Sequence, residues 1–315
     1  MSDLNRYDVV IVGGGPAGLS AAVILGRSLR RVLVIDAGEP RNAVSPAAHN
    51  FLGQEGVNPI ELLAQGRREA ESFGVKIRSR RAVSARRHDD DLVIGLDDGS
   101  EVVAGRLLLA VGVRDDLPGI EGLERFWGTS VLHCPFCHGW EVRGRRIGVI
   151  ATGSNAPHQA QLFRQLSEDV TVILHDVDEL PAEARERLTA RDIRIVDATI
   201  TRVTHESGAL TGVELEDGTL LAFDALVVGP KAVQRAEIFE QLGGSFAEHP
   251  FGGAFIEADP LGRTTIPGVW AIGNTSDLGA TVAVAAAAGV RAGGAIHAEL
   301  VEQEIEAAVA SARGR

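Results

Sequence analysis

The sequence predicts an α/β fold in two nucleotide-binding-type units, and three observations predict it. Residues 8–26, DVVIVGGGPAGLSAAVILG, read as an apolar strand, a glycine-rich turn and a helix. Residues 145–166, RRIGVIATGSNAPHQAQLFRQL, repeat that order in degenerate form. Short strands punctuated by turn signals follow each unit, over about 75–111 and again at 215–229. Strand–helix alternation of this kind points to a parallel sheet with helices on its faces. Two such units, each with its own β insertion, predict two Rossmann-like domains of three-layer ββα build.

The first unit carries G-x-G-x-x-G as Gly13, Gly15 and Gly18, after the strand and at the start of the helix. Gly13 makes the tight turn, Gly15 lets the backbone approach a pyrophosphate, and Gly18 lets the helix pack on the strand. The helix N-terminus offers unpaired N–H groups and a positive dipole to phosphates. The second strand, RVLVID, ends on Asp36, placed to accept hydrogen bonds from a ribose.

From 75 to 111 the segments VKIRSRRAVSARR, DLVIGLDDGSEVV and GRLLLAVG read as strands, with DDGS as a hairpin turn. The second unit continues into VTVILHD, and LEDGTLLAFDALVVG gives a turn and strands ending at Gly229. The last block, TTIPGVWAIGNTSDLGATVAVAAAAGVRAGGAIHAEL, reads as strand, Gly-Asn, loop and a helix of small residues. Such a helix suits either close approach to a flat ligand or close packing in a core.

At 315 residues the chain has room for two medium domains. Apolar residues are 45% and charged residues 23%, ordinary for a globular protein with a sizeable core. A formal net charge of -12 argues against nucleic acid and anionic membrane as partners, which need a basic footprint. The opening MSDLNRY is short and polar rather than an export signal. The small-apolar stretch GATVAVAAAAGV at 279–290 is shorter than the roughly 20 residues of a membrane span. The expectation is a cytoplasmic protein, where paired cysteines rarely serve as structural staples.

Those cysteines, Cys134 and Cys137, sit in HCPFCHGW at 133–140. The eight residues alone admit covalent haem attachment, a zinc site or a redox dithiol. Adjacent residues such as His133 and Cys134 seldom both reach one tetrahedral ion, which counts against zinc.

The layout resembles the low-molecular-weight thioredoxin reductase family of the pyridine-nucleotide-disulfide flavoproteins. The residues that carry the resemblance are GGGPAG at 13–18, HNFLG at 49–53, AVGVRDDLPGIEG at 110–122, CPFC at 134–137 and GVWAIGNTSD at 268–277. It implies an FAD domain split into 1–117 and 243–315 by an inserted NAD(P)-type domain, 118–242, that carries the CxxC. It implies that Gly13, Gly14, Gly15, Pro16, Ala17 and Gly18 hold the FAD pyrophosphate and Asp36 the ribose. Ala37, Asn42, Ala110 and Gly112 join the cofactor-binding set, and Asn50 lies near the isoalloxazine. Gly273 and Asn274 meet the ribityl chain, and Val282 and Ala283 the pyrimidine end. The CxxC is then a redox dithiol with no metal, and a homodimer is implied.

Three departures from that family redirect the expected function. Ala151 stands where the second motif needs its first glycine, and Pro157 enters the following helix. The next strand end supplies His175, Asp176, Asp178 and Glu179, carboxylates that repel an NADPH 2′-phosphate; Asp176 leaves a weak NADH site open. His138 follows the second cysteine where those reductases have an acidic residue, and an imidazole can serve as base and then acid.

The chain is similar, in CPFCH at 134–138, to the FAD-dependent dithiol oxidases of the gliotoxin and holomycin type. The resemblance implies catalysis by Cys134, Cys137 and His138, a small-molecule dithiol as substrate and oxygen as acceptor. An NAD(P)H-dependent thioredoxin-disulfide reductase and a flavin-binding redox sensor are the alternatives. His133 carries no assigned role.

Overall fold

The apolar run Val9–Val12 is buried on both faces, as a central strand of a helix-covered parallel sheet must be. The computed structural model describes residues 5–250 and 252–314. The chain opens with β1 (Arg6–Val12), α1 (Pro16–Arg27), β2 (Val32–Ile35), α2 (Pro59–Ser72) and β3 (Lys76–Arg78). It continues through β4 (Ala82–His88), β5 (Asp91–Leu96) and β6 (Glu101–Leu109). These form one sheet in the order β3-β2-β1-β6-β5-β4. Neighbours from β3 to β6 run parallel, and β6-β5-β4 is an antiparallel meander.

The expected DDGS turn closes the β5–β6 hairpin, with the Leu96 N–H donating to the Ser100 carbonyl at 2.9 Å. One expectation is revised. EVV and GRLLL are not separate strands but parts of β6, which runs straight through Gly105. A Cβ there would come within 3.1 Å of the Asp8 carbonyl, so glycine serves the close approach of β1 rather than a break.

A crossover ribbon of β7 (Val113–Asp116) against β16 (Lys231–Gln234) brackets the second unit. That unit holds β8 (Val131–Leu132), α3 (Pro135–His138), β9 (Ile147–Ala151), α4 (Ala156–Arg164), β10 (Val170–Leu174) and α5 (Ala182–Thr189). It ends with β11 (Arg194–Val196), β12 (Ile200–Glu206), β13 (Ala209–Leu215), β14 (Leu220–Ala222) and β15 (Ala225–Val228). Its parallel sheet runs β11-β10-β9-β15-β8, with β12-β13-β14 as a separate antiparallel sheet. Both units are thus Rossmann-like, each with a β insertion.

The chain then passes through α6 (Glu237–Gln241), β17 (Ala247–Glu248), β18 (Ala254–Phe255), β19 (Val269–Ala271) and α7 (Val282–Arg313). Ala236, Ile238 and Phe239 already pack in the core of the first sheet, ahead of the return expected at 243. β19 lies parallel to the second half of β6. Val10, Leu33 and Leu107 face one side of the first sheet, while Val9, Val34 and Leu108 face α1 and α7 on the other.

Both readings of the small-residue helix meet in α7. Its N-terminus borders the main cavity, while Gly289 and Gly293 lie against α1. A Cβ at Gly289 would fall 2.1 Å from the Ala17 carbonyl oxygen, so α1 and α7 pack backbone to backbone.

Candidate active site

In an open α/β sheet, ligands bind beyond the carboxyl ends of the strands. The carboxyl ends of β1, β2, β6 and β19 lead to Gly13, Asp36, Ala110 and Gly273, and all four residues line one cavity of about 450 Å³. The same cavity reaches His133, Cys134, Cys137 and His138, which follow directly from the carboxyl end of β8. The first sheet and the edge strand β8 of the second therefore lead into one space.

The glycine turn fits a dinucleotide. Gly13 has φ +111°, and a Cβ there would sit 2.2 Å from the Ala110 carbonyl oxygen. A Cβ on Gly18 would sit 1.9 Å from the Gly13 carbonyl, as helix-to-strand packing demands. A Cβ on Gly15 would meet nothing within 4 Å, leaving open space at the N-cap of α1 where a pyrophosphate would lie. These features fit FAD.

Of the residues expected at the cofactor, Gly13, Gly14, Gly15, Pro16, Ala17, Asp36, Asn42, Asn50, Ala110, Gly112, Gly273, Asn274 and Val282 line the cavity. Gly18, Ala37 and Ala283 are absent from its wall; Gly18 acts behind it by packing, and Ala285 rather than Ala283 faces in. Asp36 pairs with Arg67 of α2, a partner the motif spacing could not reveal.

Asn274 carries its own explanation. Its amide nitrogen lies 2.9, 3.2 and 3.1 Å from the carbonyls of Asp277, Leu278 and Ala280, gathering the loop ahead of α7. Its amide oxygen lies 3.4 Å from Arg41 Nη1. A carboxylate has no N–H to give those three carbonyls, so an amide suits this loop.

At the other end, Cys134 is the N-cap of α3, and Cys134 and Cys137 are both free thiols. Cys134 is held down at about 7 by a hydrogen bond from the Cys137 thiol, by the N–H groups of Cys137 and Phe136, and by the Arg41 cation. Cys137 is pushed up, because its proton is committed to Cys134 and because it is buried. In the dithiol the negative charge belongs on Cys134.

His138 Nε2 lies 2.5 Å from Ser45 Oγ, and its ring meets His49 edge-on with centroids 6.1 Å apart. Burial depresses the His138 pKa first, then the His49 ring, against a small opposing pull from Glu141. His138 is therefore a neutral base at pH 7. His133 is depressed in the same direction by burial and then by the Arg41 cation, and its carbonyl accepts from Gln159 Nε2 at 3.1 Å.

Sequence reasoning named neither Arg41 nor Ser45, and quoted HNFLG without giving His49 a task. His49 Nδ1 lies 2.7 Å from Glu55 and its Nε2 3.7 Å from Glu141, bridging the 49–55 loop to the segment after the CxxC. Asn50, at φ +60°, donates its amide to the Phe136 carbonyl at 2.5 Å, so it braces the CxxC turn. The signal was present only as polar residues in a loop, which is too common a pattern to single out.

In the second unit Ala151 ends β9 where the motif expects its first glycine, but Pro157, expected as a departure, sits in the first turn of α4 just as Pro16 does in α1, a position proline tolerates. The helix of the first unit starts on Gly15, immediately after Gly13–Gly14, whereas α4 has its N-cap at Asn155 after Thr152–Gly153–Ser154. The second turn is longer by one residue. A further cavity here is lined by His158, Glu179, Glu183 and Arg187. His175 is structural, accepting from the Ile200 N–H at 3.1 Å. Among the described residues, no helix is long and apolar enough to cross a membrane, and no group of three His, Cys, Asp or Glu could hold a metal.

Residues 7–289 match the family described as Pyridine nucleotide-disulphide oxidoreductase. A relative called Thioredoxin reductase aclD, from Aspergillus oryzae, is 32% identical over 279 residues, covering 85% of this chain and 88% of its own. The crystal structure of HlmI is 35% identical and superposes with a TM-score of 0.92 over 99% of this chain and 98% of its own. An oxidoreductase from Agrobacterium tumefaciens is 36% identical, with a TM-score of 0.88 over 94% of this chain and 99% of its own.

Proposed function

The chain belongs to the pyridine nucleotide-disulphide oxidoreductase family, and on that premise we propose that it is an FAD-dependent dithiol oxidase that closes an intramolecular disulfide in a small molecule. One observation carries the reading: Cys134, Cys137 and His138 open on the same cavity as Gly13 to Ala17, while the second unit has Ala151 in place of its first motif glycine and the acidic residues Asp176, Asp178 and Glu179 after β10. A CxxC with a bound electron acceptor and a poor reductant site is suited to taking electrons in from a dithiol.

In this reading Gly13 to Ala17, Asp36, Asn274 and Val282 hold the cofactor. FAD held there would supply the acceptor for the two electrons and two protons of the reduced CxxC, with oxygen as the terminal acceptor. A substrate thiolate attacks Cys134 of the oxidised pair, forming a mixed disulfide and releasing Cys137. The second substrate thiol then displaces Cys134, closing the substrate disulfide and leaving the enzyme dithiol. That second thiol is mostly protonated at pH 7, and neutral His138 takes its proton. Exposed Phe136, in the middle of the turn, offers an apolar contact to a small substrate. A homodimer in the cytoplasm belongs to the same proposal, on family resemblance.

The name of the Aspergillus relative favours a second reading, an NAD(P)H-dependent disulfide reductase. An anaerobic titration separates the two. A small dithiol bleaches the flavin stoichiometrically in the oxidase, and NADPH does so slowly, because Asp176, Asp178 and Glu179 follow β10, where reading a 2′-phosphate calls for cations. Bleaching within seconds by micromolar NADPH would establish the reductase instead.

A further inference from the structure

We propose that Ser45 locks the His138 imidazole in its Nε2–H tautomer, so that Nδ1 is the atom that accepts the substrate proton. This rests on the reading of His138 as a base. Ser45 follows the 3₁₀ turn Arg41–Val44 and is 7% exposed. Its Oγ lies 2.9 Å from the Ala47 carbonyl oxygen and 2.5 Å from His138 Nε2.

A hydroxyl has one proton, and two contacts compete for it. The carbonyl can only accept, and two bare oxygens at that separation would repel, so the O–H points to Ala47. The Oγ lone pairs then face Nε2. A bare Nε2 would set lone pair against lone pair, so Nε2 carries the hydrogen and donates it to Oγ. In the neutral ring Nδ1 is left as the acceptor, the usual way in which the partner of one imidazole nitrogen selects the role of the other.

Ser45 is held where this requires. Gly128, at φ +80°, packs on the backbone of Val44, where a Cβ would fall 2.7 Å from Val44 Cγ2 and 2.9 Å from its carbonyl oxygen. The second unit thus clamps the residue preceding Ser45. Nδ1 is the ring nitrogen nearer its own main chain, and the His138 N–H donates to the Cys134 carbonyl at 3.2 Å. His49, Glu141 and the two cysteines are the other titratable groups around the ring.

The test is imidazole ¹⁵N NMR on the oxidised, FAD-loaded protein near pH 8, with the His138 signals assigned by their loss in His138→Gln. The wild type should show protonated Nε2 and bare Nδ1. Ser45→Ala should add an Nδ1–H population and slow anaerobic flavin reduction by dithiothreitol about tenfold, since a buried donor loses its partner. Ser45→Thr, which keeps the hydroxyl, should restore both. An Nδ1–H signal in the wild type, or a Ser45→Ala spectrum identical to wild type, overturns the proposal. Should Ser45→Ala not fold, the wild-type spectrum alone decides. If the tautomer is as stated but His138→Ala reacts at the wild-type rate, the base reading fails and the tautomer assignment stands.

Discussion

Arg41 grips Asp115 through parallel hydrogen bonds, Nε to Oδ2 at 2.9 Å and Nη2 to Oδ1 at 2.6 Å. The pair ties the turn after β2 to the crossover strand β7, and its cation also reaches the CxxC. Arg41→Gln should raise the Cys134 pKa above about 7, because one of the groups favouring the thiolate is gone. It also strands a mostly buried Asp115 carboxylate, at a cost on the order of 3 kcal/mol. The pH dependence of iodoacetamide alkylation of the reduced protein reads the first effect. An unchanged alkylation profile would remove Arg41 from any part in tuning Cys134.

His138 has its pKa depressed by burial and by His49, so its neutral form persists below the ordinary value of 6.5. A base must be neutral to act, and protonation on acidification removes it. The acid limb of flavin reduction by a dithiol, corrected for ionisation of the dithiol, should therefore lie below pH 6.5. His138→Ala should erase that limb, keep its FAD, and lose roughly 10²–10⁴-fold in rate. Cys137→Ser should abolish reduction by the dithiol with the flavin still bound.

Gly13→Ala and Gly15→Val should fail differently. The first forces a Cβ to 2.2 Å from the Ala110 carbonyl at φ +111°, so the strand–turn–helix junction itself is strained. The second places its side chain in open space at the helix N-cap, so the protein should fold normally by circular dichroism but purify without flavin. Stoichiometric FAD in Gly15→Val would mean that the pyrophosphate lies elsewhere.

Asn274→Asp replaces an amide that faces three carbonyls with a group that has no N–H to give them. The loop before α7 should loosen and FAD affinity should fall about tenfold, as expected for carbonyls losing a donor. Fluorescence titration of the apoprotein with FAD measures it. An unchanged dissociation constant would show that the loop does not depend on Asn274.

The two strand–turn–helix units, the DDGS hairpin and the CxxC were legible because each depends on residues close together in the chain. Glycine spacing, period and turn chemistry are local, and Gly13, Asp36 and Cys134 stand where that reading put them. Gly105 was harder to read, since a glycine inside a strand marks either a break or a close neighbour. Only the pairing of β6 with β1 shows that the neighbour is Asp8.

The amino-acid sequence by itself determined which groups the chain carries: a glycine turn of the dinucleotide-binding kind, a cysteine pair with a histidine beside it, and an acidic strand end in the second unit. Tertiary structure alone decided how those groups are tuned. Arg41, Ser45 and His49 lie in the irregular segment between β2 and α2, which has no periodic signal, and they meet Cys134 and His138 from about 85 to 95 residues away because the second unit folds back over the first. A pKa or a tautomer depends on burial and on partners within a few ångströms. Neither the shift nor the tautomer preference arises until the fold has brought those partners together.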